Sequence, residues 1–106
     1  MTEEKRGNIL YLVVPCYNEE EIIERSIEKL KEKVNRLIKE NKISPKSKIM
    51  FVNDGSRDKT WEIITELNKQ NPLYTGINLS RNRGHQNALL AGLMTAVQHA
   101  DMIISM

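Results

Sequence analysis

The feature that most constrains this chain is a change of hydrophobic period that recurs along it. Ile9 to Val14 reads I-L-Y-L-V-V, an unbroken apolar run rich in β-branched and aromatic residues. Such a run suits a strand covered on both faces of a parallel sheet. From Glu19 onward the pattern changes: Ile22, Ile23, Ile27, Leu30, Val34, Leu37 and Ile38 recur at intervals of one, three and four. That spacing lays one apolar stripe along a long amphipathic helix. Glu19, Glu20, Glu21 and Glu24 come before Lys29, Lys31, Lys33, Arg36 and Lys39, the order a helix dipole favours, and Asn18 is placed as the N-cap.

The alternation then repeats. The segment Asn41 to Ser47, with Ser44-Pro45 inside it, breaks the helix, and Lys48 to Val52 (K-I-M-F-V) reads as a second strand with Asn53 to Arg57 as its exit loop. Asp58 caps a second helix running to about Lys69, with Trp61, Ile64 and Leu67 on its inner face and Asn71-Pro72 ending it. Tyr74 to Leu79 is the third strand, followed by a polar loop holding Gly84. A third helix runs from Gln86 to about His99, and its Ala88, Gly92 and Ala96 form a small-residue stripe that permits close packing. Asp101 to Met106 begins a fourth strand. The order βαβαβαβ with short connections implies an α/β fold, a Rossmann-like parallel sheet with helices on both faces. Ligands are then expected at the carboxyl ends of the strands.

Composition narrows the class. A chain of 106 residues accommodates a single domain with a thin core. With 40% hydrophobic and 28% charged residues it is too apolar for a disordered segment. The net charge of +2 comes from acids and bases mixed along the chain, so no concentrated basic face is expected and no nucleic-acid partner. Cys16 is the only cysteine, which rules out an intrachain disulfide, leaves no zinc-type Cys/His spacing and fits a reducing compartment. No apolar run approaches the roughly 18 residues of a membrane span, so no transmembrane segment is expected in this chain. His85 and His99 are read as surface or packing residues. There is no G-x-G-x-x-G after the first strand, no G-x-x-x-x-G-K-[ST] and no G-x-S-x-G.

Three strand-end segments could carry chemistry. P-C-Y-N-E-E (Pro15 to Glu20) sets an aromatic ring, an amide and carboxylates at a strand-to-helix turn. There Glu19 could accept hydrogen bonds from ribose hydroxyls and Tyr17 could cover a base, or Glu19 could serve only as a helix-start charge. In N-D-G-S-R-D (Asn53 to Asp58) Gly55 allows a tight turn, and Asp54 could accept the N3 proton of uracil or merely bond to the turn's own backbone. L-S-R-N-R-G-H-Q-N-A (Leu79 to Ala88) places Arg81 and Arg83 ahead of a helix N-terminus, which would suit a diphosphate or leave two solvated arginines.

Together these three segments, in this order and spacing, closely resemble the N-terminal half of family 2 glycosyltransferases of the GT-A fold, over about Ile9 to Met106. Within the family they look most like the polyprenyl-phosphate glycosyltransferases related to dolichol-phosphate mannose synthase. The resemblance implies transfer of a sugar, with inversion, from a nucleoside diphosphate sugar, UDP ahead of GDP, to an acceptor such as polyprenyl phosphate. It implies that Pro15, Tyr17 and Glu19 line the nucleoside pocket, that Asp54 reads the base, and that Arg81, Gly84 and Gln86 border the diphosphate and sugar. Many members read D-D-G-S where this chain has Asn53. The family's metal-binding aspartates and catalytic base are expected beyond Met106, so Mg²⁺ or Mn²⁺ belongs to the complete enzyme, no metal ligand is expected in this chain, and the isolated chain is expected to be inactive. The resemblance places the full-length protein at the cytoplasmic face of the membrane. Sheet edge and apolar surface left exposed at the boundary are expected to let the isolated chain self-associate. The alternative is a non-catalytic α/β module that binds a small ligand or serves regulation.

Overall fold

The computed structural model describes residues 8–105 apart from Glu19, Arg57, Ser80 and Arg83, and for Glu20, Ile22 and His85 it describes the backbone alone. Four strands and three helices alternate: β1 (Leu10–Cys16), α1 (Glu20–Lys39), β2 (Lys48–Asp54), α2 (Thr60–Gln70), β3 (Tyr74–Leu79), α3 (His85–Ala96) and β4 (Met102–Ser105). All strand pairs are parallel, in the order β3-β2-β1-β4. The Rossmann-like α/β sheet expected from the sequence is therefore present.

The order explains the two cores. From β1 to β3 the chain steps across the sheet in one direction, then returns past β1 to lay down β4. Crossovers of one hand must then put α3 on the opposite face from α1 and α2. Leu10, Leu12, Ile49, Phe51 and Tyr74 pack with Ile23, Ile27, Val34 and Ile64 of α1 and α2. Tyr11, Val13, Met50 and Val52 pack with Ala88 and Ala96 of α3. The alternation of the strand residues between the two clusters is the period of two that a pleated strand imposes.

Each helix shows why its sequence forms it. The stripe on α1 buries Ile23, Ile27 and Val34, with Leu30, Leu37 and Ile38 packed beside them. The helix ends before Pro45, at Asn41, whose φ of 61° is left-handed. The Asn41 N–H donates to the Ile38 carbonyl and the Lys42 N–H to the Leu37 carbonyl, a Schellman closure in which Asn replaces the usual glycine. The N-cap of α2 is Lys59 rather than the expected Asp58; Asp58 stands one residue earlier, where its Oδ1 accepts from the Thr60 N–H at 2.9 Å and from the Thr60 hydroxyl. On α3 the small residues meet the sheet directly. A Cβ at Gly92 would lie 2.6 Å from Val13 Cγ1 and 2.8 Å from Val52 Cγ2, so this helix seats against β1 and β2 through bare backbone.

Other expectations change as well. The third helix ends at Ala96, short of the expected His99. Asn18 adopts φ 50°, left-handed rather than the extended conformation usual for an N-cap, and α1 begins only at Glu20. The second strand does not stop at Val52. It continues through Asn53 and Asp54 because β3 offers Asn78 and Leu79 as ladder partners, and both added residues are buried.

Candidate functional site

The carboxyl ends of β1, β2 and β3 open onto a cleft of about 430 Å³. Tyr17 enters it from the loop after β1, Asn53, Gly55 and Ser56 from the end of β2, Asn78, Leu79, Arg81 and Asn82 from the end of β3, and Trp61 from the first turn of α2. Two aromatic rings, several amides and a guanidinium thus share one concave surface. It is the kind of mixed apolar and polar lining that small-molecule sites use.

The loops forming this cleft are fastened to one another. The Asn18 N–H donates to Ser56 Oγ at 2.9 Å, which ties the loop after β1 to the loop after β2. Gly55, at φ 70°, lies under the third loop: a Cβ there would come within 2.3 Å of the Asn82 nitrogen and 2.4 Å of the Arg81 carbonyl carbon. Only glycine satisfies both the left-handed backbone and that contact. Asn82 Oδ1 accepts from the Gly84 N–H at 3.0 Å. Gly84 then turns the chain into α3 with φ 91° and ψ 150°, a region essentially confined to glycine, and its carbonyl accepts from the Ala88 N–H to open the helix.

The residues singled out from sequence fall in three groups. Tyr17, 43% exposed, and Arg81 meet in the cleft. Pro15, next to last in β1, and Asp54, last in β2, fall on the α3 side of the sheet, following Val13 and Val52 at the strand period. Asp54 is 3% exposed and does not line the cleft, although its chain neighbours Asn53 and Gly55 do. Gly84 shapes the entry to α3, and Gln86 sits exposed in its first turn. Glu19 and Arg83 lie outside the described residues.

Other cleft residues were not found by sequence reasoning. Trp61 was placed in the core by helical period, and it does pack there, yet its indole also lines the cleft. The signal was Gly76, a glycine inside a strand, which often marks close approach. A Cβ at Gly76 would stand 3.0 Å from Trp61 Cζ3 and 2.7 Å from Ile64 Cγ2. Asn78 was signalled only by being polar at a strand end. Asn53, where many family members have aspartate, makes two hydrogen bonds: its Nδ2 donates to Asn78 Oδ1 at 2.8 Å and its Oδ1 accepts from the Ser56 N–H at 3.4 Å.

Among the described residues no group of three or more His, Cys, Asp or Glu side chains stands together as a metal site. No described helix is long and apolar enough to cross a membrane.

Comparison with known proteins places this architecture. The chain is 47% identical over 97 residues to the uncharacterized glycosyltransferase YkoT of Bacillus subtilis (strain 168), covering 92% of this chain and 29% of that protein. It is 42% identical to a prophage bactoprenol glucosyl transferase homolog of Escherichia coli (strain K12), over 77% of this chain and 25% of the relative. The chain thus spans under a third of the length of these relatives. Among solved structures, the mannosyltransferase PcManGT from Pyrobaculum calidifontis, in complex with GDP-Man and Mn²⁺, superposes with a TM-score of 0.61 at 22% identity, covering 89% of this chain and 25% of that one. Its likeness supports the GT-A form of the fold. The sequence pattern of the family described as Glycosyl transferase family 2 matches residues 11–103, and the chain belongs to that family.

Proposed function

We propose that this chain is the nucleotide-sugar-binding part of a glycosyltransferase domain that passes a sugar from a nucleoside diphosphate sugar to an acceptor, with UDP as the nucleotide and polyprenyl phosphate as the acceptor. The observation that carries this reading is the convergence of Tyr17, Trp61 and Arg81 on one cleft at the carboxyl ends of three parallel strands. The aromatic rings offer flat apolar surface to a base and ribose. Arg81 offers a fork of donors to a diphosphate, and the N-terminus of α3 follows it in the chain, where peptide dipoles favour negative charge. The bactoprenol glucosyl transferases among the relatives support a polyprenyl phosphate acceptor.

In the reaction an acceptor oxygen attacks the anomeric carbon, the bond from that carbon to the diphosphate breaks with inversion, and the nucleoside diphosphate leaves. This chain's residues hold the donor for that step. Tyr17, Pro15 and Glu19 are assigned to the nucleoside, Asp54 to accepting a hydrogen bond from the N3–H of the base, and Arg81, Gly84 and Gln86 to the diphosphate and sugar; of these, Tyr17 and Arg81 are the described residues that line the cleft. A divalent cation, Mg²⁺ or Mn²⁺, would neutralise charge on the leaving diphosphate in the complete enzyme, as the Mn²⁺ complex of the mannosyltransferase suggests. The described residues supply no cluster to hold it. The same reading places the full-length protein at the cytoplasmic face of a membrane.

The test is calorimetric titration with UDP and with GDP, each with and without Mn²⁺, on the protein and on Arg81→Ala. Binding of UDP ahead of GDP, weakened about tenfold or more in Arg81→Ala as expected for losing hydrogen bonds to a charged group, supports the reading. A folded protein that binds neither nucleotide sinks it.

A further inference from the structure

We propose that Asn78 is a base-specificity residue, and that Asn53 sets its orientation so that Asn78 presents a hydrogen-bond donor, not an acceptor, to the cleft. This rests on the nucleotide-binding reading above and deepens it. A side-chain amide has one acceptor end and one donor end, so its direction must be set by its neighbours. Here the direction begins at a backbone group that can only donate. The Ser56 N–H points at Asn53 Oδ1, 3.4 Å away, which turns Asn53 Nδ2 toward β3. That Nδ2 donates to Asn78 Oδ1 at 2.8 Å.

With its oxygen engaged by Asn53, Asn78 is left with its Nδ2 hydrogens to offer elsewhere. Asn53 and Asn78 are register partners in the sheet. The first is 2% exposed and the second is exposed, and both line the cleft. A buried amide thus orients a solvent-facing one. The ligand chemistry that fits is a base with a carbonyl oxygen on its reading edge, a 4-oxo pyrimidine or a 6-oxo purine. A base with an exocyclic amino group in that place would set donor against donor. An aspartate at position 53 would reverse the relay: it could only accept, from the Ser56 N–H and from Asn78 Nδ2, and the Asn78 oxygen would turn to the cleft.

The experiment is the ratio of affinities for UDP and CDP, or for GDP and ADP if the protein takes purines, measured by calorimetry on the wild type, Asn78→Asp and Asn53→Asp. Unfolding midpoints check that each variant folds. Added negative charge weakens both nucleotides alike and leaves the ratio unmoved, whereas a reversed donor lowers the preference for the oxo base about tenfold or more. A fall of that size in both variants is expected. Asn78 is exposed, so Asn78→Asp carries the test if the buried Asn53→Asp fails to fold. Oxo-base binding with an unchanged ratio in the folded variants overturns the role of Asn78 and leaves the nucleotide reading standing. Absence of binding by any of the four nucleotides to the wild type overturns both.

Discussion

Replacing Gly55 by alanine separates two costs that usually come mixed. Gly55 has φ 70°, and holding an alanine in the left-handed region costs about 1–2 kcal/mol. The added methyl would also meet the Asn82 nitrogen at 2.3 Å and the Arg81 carbonyl carbon at 2.4 Å. Those are backbone atoms that no rotamer change can withdraw, and overpacking of this sort costs about 1–3 kcal/mol. The sum of about 2–5 kcal/mol is a large share of the ~5–15 kcal/mol that holds a typical domain together. Gly84 supplies the control. Its φ of 91° and ψ of 150° lie in a region essentially confined to glycine, but nothing lies within 4 Å of where its Cβ would stand, so Gly84→Ala carries a conformational cost alone, about 1–3 kcal/mol. Urea denaturation of both variants at constant m reads the difference as a shift in midpoint, and UDP titration reads any displacement of the Arg81–Asn82 loop. Gly55→Ala should lose more stability than Gly84→Ala, or lose nucleotide affinity if the loop swings aside. Equal stability losses with unchanged UDP affinity in Gly55→Ala would refute the claim that this glycine is the seat of the third loop.

Other expectations follow from the packing. Gly92→Val should lift α3 from Val13 and Val52, which crowd its Cβ position, at a cost of about 1–3 kcal/mol in thermal or urea unfolding; a neutral result would mean that α3 is not seated as described. Tyr74 has its hydroxyl pKa raised above the ordinary 10.0, first by burial and then by the Glu28 carboxylate. The folded state therefore holds that proton more tightly than the unfolded state does. This contribution to stability is complete below pH 10 and fades as pH rises through the folded value. Unfolding midpoints measured across that range should fall more steeply for the wild type than for Tyr74→Phe, and identical slopes would count against it. At the sheet edge, β4 exposes Met102 and Ile104, and α3 with its C-cap exposes Leu90, Met94 and Val97. We expect the 106-residue chain to self-associate through this edge, with Ile104→Lys lowering the association seen by sedimentation; a wild-type monomer at high concentration would exclude it.

The sequence by itself determined the order of elements and the faces they bury. That is because hydrophobic period is a local property: the run Ile9 to Val14, the stripe from Ile23 to Ile38 and the small residues of α3 each declare their own geometry. It also determined which ends of the strands carry the polar groups, since Tyr17, Asp54 and Arg81 all follow apolar runs in the chain. The tertiary structure alone decided which of these residues meet. Strand order brings β2 and β3 side by side, so Asn53 finds Asn78, a pairing 25 residues apart in the chain that no local pattern encodes. Pleating then puts Asn53 on the α2 face with the cleft and Asp54 on the α3 face, a separation of neighbours that depends on where β2 ends. Trp61 shows the same limit from the other side. Its helical position placed it correctly toward the sheet, but only the glycine at position 76 of the adjoining strand lets its ring reach the cleft.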